Sequence, residues 1–166
     1  MKNFQKKSKL LVTVISIALL AVLIFIYIVV SHAMNQESRQ AGRIDQFEHY
    51  YSDFEVILQA VEELTDDQNS LYLTVDKDES VLYNKETAVY LDRAETASLR
   101  NIQNLFSEKV GFLGSITVSD SQVSFNNINS QYAMVYTYED TTPQATDGKA
   151  LTTSQIRPHW YHVWYD

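Results

Sequence analysis

The longest apolar run in the chain, residues 10–30, constrains its architecture more than any other feature. The run (LLVTVISIALLAVLIFIYIVV) contains no charged residue, proline, glycine, asparagine or glutamine. As an α-helix that rises about 1.5 Å per residue, a run of this length extends about 31 Å and matches the hydrocarbon core of a bilayer. A helix in a soluble core would show a polar stripe, whereas this run offers little beyond Thr13 and Ser16. It therefore predicts a transmembrane helix.

The charges that flank this run predict its orientation. Residues 1–9 contain four lysines and no acidic residue. The positive-inside rule therefore places them in the cytoplasm as a basic tail and the chain beyond Val30 outside the membrane. A cleaved signal peptide is the alternative, since Ser31-His32-Ala33 has the small-x-small pattern of a cleavage site after Ala33. Signal peptides have apolar regions of about 7–15 residues, which favours an uncleaved signal anchor and a single-pass protein of the cell membrane.

Beyond a juxtamembrane segment at residues 31–43, residues 44–166 are long enough for one extracytoplasmic domain. All 21 acidic residues follow the apolar run, together with nine of the 13 lysines and arginines, which gives this part a net charge of −12. Such a charge repels nucleic acid and anionic lipid headgroups, keeps the domain soluble and suits a basic protein partner. The absence of cysteine excludes disulfides, thiol catalysis and zinc–thiolate sites, and fits a Gram-positive surface protein.

Apolar residues spaced alternately by three and four predict a helix that begins at Ile44. They are Ile44, Phe47, Tyr51, Phe54, Leu58 and Val61. Three heptads of this kind could form a coiled coil that joins copies of the chain. The oligomerisation seam would then consist of Phe47, Tyr51, Phe54 and Leu58. Further apolar residues at positions 50, 57 and 64 widen the stripe, which favours a helix packed on a sheet.

The remainder of the domain predicts short strands around a second helix. Strands are expected at residues 71–75, 115–119, 122–126, 131–139 and 157–166 and once or twice within 81–91, with turns at 65–69 and 76–80 and a surface loop at 140–154. Asp92 and Glu95 have capping-box spacing at the start of the helix, and Gly111 suits its end. Its buried stripe comprises Leu99, Ile102, Leu105 and Phe106. The order of elements predicts an α+β domain with a mainly antiparallel sheet packed on two helices.

Patterns for catalysis and metal binding are scarce. The sequence has no H-E-x-x-H, G-x-S-x-G or S-x-x-K motif, and its four glycines form no phosphate-binding loop. Residues 76–80 (DKDES) match only the first alternations of a calcium loop and lack its glycine, which favours a solvated turn. His32 and His49 are expected to have structural roles. We therefore predict a non-enzymatic protein that has no metal site and needs no cofactor.

The closing stretch, residues 157–166 (RPHWYHVWYD), contains two histidines spaced H-x-x-H. On a helix they could share a metal ion, but side chains alternate along a strand, so His159 and His162 should point to opposite faces. Pro158 cannot donate a ladder hydrogen bond, which places it at an edge or at the start of the strand. One face is expected to hold Ile156, Trp160, His162 and Trp164, and the other His159, Tyr161, Val163 and Tyr165.

Large aromatic residues concentrate in the last third of the chain. Rings of this kind, when exposed together, are typical of a protein-binding surface because they bury much area and still offer a polar group. The predicted binding face comprises Tyr132, Tyr136, Tyr138, Trp160, Tyr161, Trp164 and Tyr165. The alternative is that these rings fill the core and cover the sheet.

The layout of the chain resembles that of membrane-anchored immunity proteins of Gram-positive bacteria, of the TipC type. It shares with them a short cytoplasmic tail, one anchor, the stretch IDQFEHYYSDF (residues 44–54) and a compact acidic domain. The resemblance implies a domain that binds and neutralises a toxin secreted by neighbouring cells. Two other function classes stay open: a structural subunit of a cell-envelope or secretion assembly, and an envelope hydrolase that uses His159 or His162 with a carboxylate. Among these we favour a non-catalytic extracytoplasmic binding protein.

Overall fold

The structure, a computed structural model, describes residues 20–28, 43–65, 70–143 and 151–165. The chain divides into two compact units, Met1–Ala41 and Gly42–Asp166. In the first unit, residues 20–28 are helical and their large apolar side chains are exposed. No helix within the described ranges is long and apolar enough to cross a membrane. The other residues of the predicted tail, transmembrane helix and juxtamembrane segment, up to residue 42, lie outside the described part, so these three predictions stay predictions.

The second unit has the predicted α+β fold. Its described residues form helices α1 (Phe47–Glu63) and α2 (Arg93–Lys109) and strands β1 (Ser70–Val75), β2 (Leu82–Asn84), β3 (Thr87–Val89), β4 (Leu113–Ser119), β5 (Gln122–Asn127), β6 (Tyr132–Thr137), β7 (Leu151–Arg157) and β8 (Trp160–Tyr165). All eight strands join one antiparallel sheet in the order β3-β2-β1-β4-β5-β6-β8-β7. The predicted strands before residue 140 are thereby confirmed.

Both helices pack on one face of the sheet and enclose the core with it. Side-chain alternation brings Phe125 of β5 to this face, beside its register partner Met134 of β6. The Phe54 ring of α1 lies 5.1 Å from that of Phe125 in an edge-to-face contact, and the Phe106 ring of α2 lies 6.2 Å from that of Tyr132. All five side chains are buried. Because each buried side chain of this size contributes about 1.5–3 kcal/mol, this layer is the main source of the domain's stability.

The two helices begin by different means. At α2, the Asp92 carboxylate accepts a hydrogen bond from the Glu95 amide (2.8 Å), and the Glu95 carboxylate accepts one from the Asp92 amide (2.7 Å), which confirms the predicted capping box. Gly111 follows the end of α2 with φ +89°, the left-handed conformation expected there. Helix α1 has no side-chain cap. Its start is held instead by the buried Ile44, whose amide donates to the Tyr132 hydroxyl at 3.3 Å.

The apolar stripe of α1 faces the sheet. Phe47, Phe54 and Leu58 are buried in the core of their own chain, and Tyr51 is half-buried at its margin. The helix-on-sheet arrangement is therefore the one that forms. The alternative seam is unavailable to a second copy, because exposing it would require α1 to leave the sheet.

Two predictions for the C-terminal part are wrong. Residues 151–154, expected in the loop 140–154, belong to β7, and residues 157–166 do not form one strand, because Arg157 ends β7 and β8 begins at Trp160. Strand β7 lies at the edge of the sheet and none of its residues is fully buried. Its sequence therefore lacks the apolar alternation that marks a half-buried strand. Residues 144–150 of the predicted loop lie outside the described part.

The turn between β7 and β8 consists of Pro158 and His159. Proline fixes its own φ near about −65°, which suits the first central position of a tight turn, while the second position of a type II turn needs a positive φ. His159 takes that conformation with φ +68°. The sequence expectation failed here because glycine or asparagine, rather than histidine, usually marks this position. His159 therefore lies in the turn and not on the second face of a strand.

Candidate functional site

The seven aromatic residues of the predicted binding face do not form one surface. Tyr132, Trp160 and Trp164 are buried in the core beneath the helices. Tyr161 and Tyr165 lie on the opposite face of the sheet, where Tyr161 packs with Ala133, Val135 and Val163. Tyr136 and Tyr138 are half-buried at the margin of the core. Alternation divides these rings between the two faces of the sheet, as the sequence predicts for residues 160–165, and the helices cover one of the faces.

The two histidines of the H-x-x-H pattern serve different parts of the fold. His162 is buried, and its Nδ1 lies 2.6 Å from the Tyr132 hydroxyl. Burial, followed by the charge of Arg43, lowers the pKa of His162 to about 4, so this ring is neutral near pH 7. His159 stacks on the Tyr136 ring at 5.6 Å, and its Nδ1 lies 2.7 Å from the Thr137 carbonyl oxygen. Within the described ranges, no group of three histidine or acidic side chains is placed to hold a metal ion.

The turn that carries His159 is held by Asp140. The carboxylate accepts hydrogen bonds from the His159 amide (2.5 Å), the Gln155 side-chain amide (2.9 Å) and the Tyr161 hydroxyl (3.2 Å). The His159 amide is the main cause of a lowered pKa for Asp140, followed among the favourable contacts by the Tyr161 hydroxyl. These bonds join the connection between β6 and β7 to the β7–β8 turn. The role of Asp140 is therefore structural, because its hydrogen bonds hold the β7–β8 turn in place.

A row of carboxylates follows one edge of α1. Glu48, Glu55 and Glu62 recur every seven residues, so they lie nearly above one another, with about 10.5 Å of helix between neighbours. Glu55 and Glu62 are half-buried and Glu48 is exposed. The row therefore presents two of its negative charges, those of Glu55 and Glu62, beside the sheet and the third, that of Glu48, to solvent.

Three tyrosines lie alongside this row. Burial and the Glu55 carboxylate raise the pKa of Tyr51, and burial followed by Glu62 and Glu55 raises that of Tyr136. For Tyr138, burial and then the Glu62 carboxylate raise the pKa to about 12. Each phenol therefore stays protonated near neutral pH and can donate to an oxygen beside it. The rings of Tyr136 and Tyr138 meet edge-to-face at 5.7 Å, which fixes their orientation.

Between α1 and β6 lies an open groove of about 370 Å³. We call it the α1–β6 groove. It is lined by Glu55, Val56, Leu58, Gln59, Glu62 and Tyr136. The groove thus combines two half-buried carboxylates with an aromatic ring and aliphatic side chains, a composition that suits the stem and the charged end of a long cationic side chain.

At the N-terminal end of the row, the protein supplies its own cation. The Arg157 guanidinium lies over the Tyr51 ring, 3.8 Å from its centroid, and its Nη1 donates to Glu48 Oε2 at 3.5 Å. The only other ion pair in the described ranges joins Arg43 to Asp45. Glu55 and Glu62, further along the same row, have neighbouring tyrosines but no cationic partner in the described part of the chain.

Of the residues that form this groove, Tyr136, in the binding face, and Leu58, in the seam, were singled out from the sequence, but the two carboxylates were not. The sequence does contain a signal for the row, because the seven-residue spacing of Glu48, Glu55 and Glu62 predicts that all three lie on one edge of a helix. What it could not show is that β6 would lie beside that edge and bring Tyr136 to it. Arg157, from the β7–β8 hairpin, reaches the row through a contact that crosses more than 100 positions of sequence.

Comparison with known proteins yields no relative for this chain: no family model, curated protein or solved structure matches it. The features of the chain that bear on its function are therefore the α1–β6 groove and the sequence patterns.

Proposed function

We propose that the chain is a membrane-tethered, extracytoplasmic binding protein without catalytic activity, and that its domain binds a basic protein. The observation that carries this proposal is the α1–β6 groove, where Glu55 and Glu62 lie half-buried beside tyrosine rings with no cation from the described residues. Half-buried charges cost desolvation free energy that a cationic partner would offset. The net charge of −12 beyond residue 30 adds long-range attraction for such a partner.

The tether in this proposal is the apolar run at residues 10–30, with its lysine-rich flank. Such an anchor would hold the domain outside the cytoplasm, on the surface of the cell that produces it. A protein placed there can intercept molecules that arrive from outside. This position, together with the resemblance to immunity proteins, supports neutralisation of a secreted toxin as the biological role.

The role is tested by protection of a susceptible cell. The gene beside that of an immunity protein is expected to encode its toxin, so the secreted product of the neighbouring gene is the first challenge. Cells that produce the full chain should survive this product, while cells without the chain should not. If production at the membrane gives no protection and the purified full chain does not bind the product, the immunity role is wrong.

A structural subunit of an envelope assembly is the second candidate. Strand β7 favours it: at the sheet edge it carries seven residues with Arg157 as the only charge, and an edge of this kind can pair with another strand. A charge in the middle of β7, introduced by Thr153→Lys, would then release the chain from its assembly. An unchanged assembly size on native gels would exclude pairing through this edge.

A further inference from the structure

We infer that the α1–β6 groove binds arginine side chains from an α-helical segment of the partner, with one arginine at Glu55 and a second at Glu62. This inference rests on the proposed binding function and adds the chemistry and the spacing of what is bound. Its basis is the contact that the protein makes with its own Arg157.

Arg157 shows how this surface holds a guanidinium. The planar group lies against the Tyr51 ring at 3.8 Å while its edge donates to Glu48. An arginine uses both interactions at once, because its face is attracted to an aromatic ring and its N–H groups match a carboxylate. Glu48 and Tyr51 therefore form a carboxylate–ring pair that is already occupied.

The same pair of groups recurs along the row without a cation. Glu55 and Glu62 line the α1–β6 groove together with Tyr136, and the Glu62 carboxylate lies within hydrogen-bonding reach of the Tyr138 hydroxyl. These carboxylates repeat the Glu48 position at intervals of seven residues on the same helix. Beside them the groove offers space of about 370 Å³ and aliphatic walls from Val56 and Leu58. The row thus has one position filled by Arg157 and two open to an incoming cation.

Arginine suits these positions better than lysine. A lysine ammonium is more strongly hydrated and cannot lie flat on a ring while it donates to a carboxylate. Because the groove is half-buried, the more weakly hydrated guanidinium loses less free energy on entering it. A preference for arginine would therefore distinguish this groove from a surface that attracts any positive charge.

The spacing of the carboxylates favours a partner segment that is helical rather than extended. Glu55 and Glu62 are separated by about 10.5 Å along the helix axis. Side chains seven residues apart on a second helix lie on one face at the same separation. Along an extended strand, residues three apart span about 10 Å but point to opposite sides. A second copy of this chain is a poor occupant, since its net charge of −8 would repel the acidic row.

The inference is tested with a soluble helical peptide of alanine and glutamine that carries two arginines seven residues apart. The full chain, purified in a nonionic detergent and labelled with ¹³C in its tyrosine rings, would be titrated and followed by NMR. Signals of Tyr136 and Tyr138, assigned with Tyr136→Phe and Tyr138→Phe, should shift with a common dissociation constant. A matched peptide with lysines, and one with arginines two residues apart, should each bind several-fold more weakly.

Charge variants locate the site. Glu55→Gln and Glu62→Gln should each raise the peptide's dissociation constant about threefold and the double variant about tenfold, as expected for exposed to half-buried ion pairs. Glu108→Gln, on the exposed side of α2, removes the same charge elsewhere and should leave binding unchanged. Equal binding of the lysine peptide, an equal effect of Glu108→Gln, or shifts confined to other tyrosines would each overturn the inference.

The same variants separate this inference from the proposed function. Full protection by a Glu55→Gln/Glu62→Gln chain that stays folded would exclude the groove and leave the binding function intact. Conversely, if the arginine peptide binds in the groove but the chain protects no cell and binds no secreted protein, the immunity role fails and the groove stands.

Discussion

The Tyr132 hydroxyl and His162 Nδ1 lie 2.6 Å apart in the core of the domain. The hydroxyl also accepts from the Ile44 amide just before α1, so the pair connects the start of that helix to strands β6 and β8. Because burial lowers the pKa of His162 to about 4, the ring is neutral and Nδ1 can accept a hydrogen bond from the tyrosine hydroxyl. The contact therefore links the start of α1 and the pairing of β6 with β8 to the neutral form of His162.

The first prediction concerns pH. The pKa of His162 in the fold, about 4, lies below its ordinary value of about 6.5. Between these two pH values the unfolded chain therefore binds a proton at this histidine that the folded chain does not. The stabilisation from neutral His162 is complete above about pH 6.5 and is lost as the pH falls towards 4, by up to about 3 kcal/mol. Urea unfolding of the full chain at a series of pH values measures this loss.

Replacement of the ring isolates its share of the pH dependence. His162→Gln keeps an acceptor near Tyr132 but cannot titrate, so the free energy of unfolding should fall less steeply between pH 6.5 and 4. His49→Gln, on the exposed side of α1, serves as the matched control and should retain the parent slope. Identical slopes for the parent and His162→Gln would show that this histidine does not govern the acid sensitivity.

A second prediction concerns the aromatic centre of the core. Phe54 is fully buried, and its ring contacts those of Phe47, Phe125 and Trp160 at 5.1–5.5 Å. Phe54→Ala should lower the free energy of unfolding by about 3–5 kcal/mol, since it removes apolar contacts and leaves a cavity. Tyr90→Ala, at a side chain that is 90% exposed, should change it by less than about 0.5 kcal/mol. A loss below about 1 kcal/mol for Phe54→Ala would contradict the packing of α1 on the sheet.

The capping box of α2 provides a third prediction. Asp92→Ala removes the acceptor for the Glu95 amide and should destabilise the domain by about 1 kcal/mol. Asp92→Asn keeps an acceptor and should recover most of this loss. Thermal unfolding of the two variants side by side gives the comparison. Equal midpoints for the alanine and asparagine variants would mean that the cap contributes little.

Local signals in the sequence predicted most of the fold. The capping pair Asp92 and Glu95, the left-handed Gly111 and the alternation in β1, β4, β5 and β6 each depend on residues close in sequence. Failures occurred where tertiary context decides. The positive φ of His159 is held by contacts with Asp140 and Thr137, and neither is visible in the local sequence. Likewise, the groove needs β6 to lie beside α1, which no local pattern specifies.

The last prediction concerns the tether, and the absence of cysteine in the chain makes it testable without background. If residues 10–30 span the membrane with the lysine-rich tail inside, Ser8→Cys faces the cytoplasm and Ser107→Cys, on the exposed side of α2, faces outward. A membrane-impermeant maleimide added to intact cells should therefore label Ser107→Cys and spare Ser8→Cys until the cells are lysed. Cleavage after Ala33 would remove Ser8 altogether and shorten the chain on a gel, while labelling of neither variant in intact cells would place the domain inside. Only the outward orientation exposes the acidic groove to a protein that comes from another cell, so this result decides whether the immunity role is physically available to the domain.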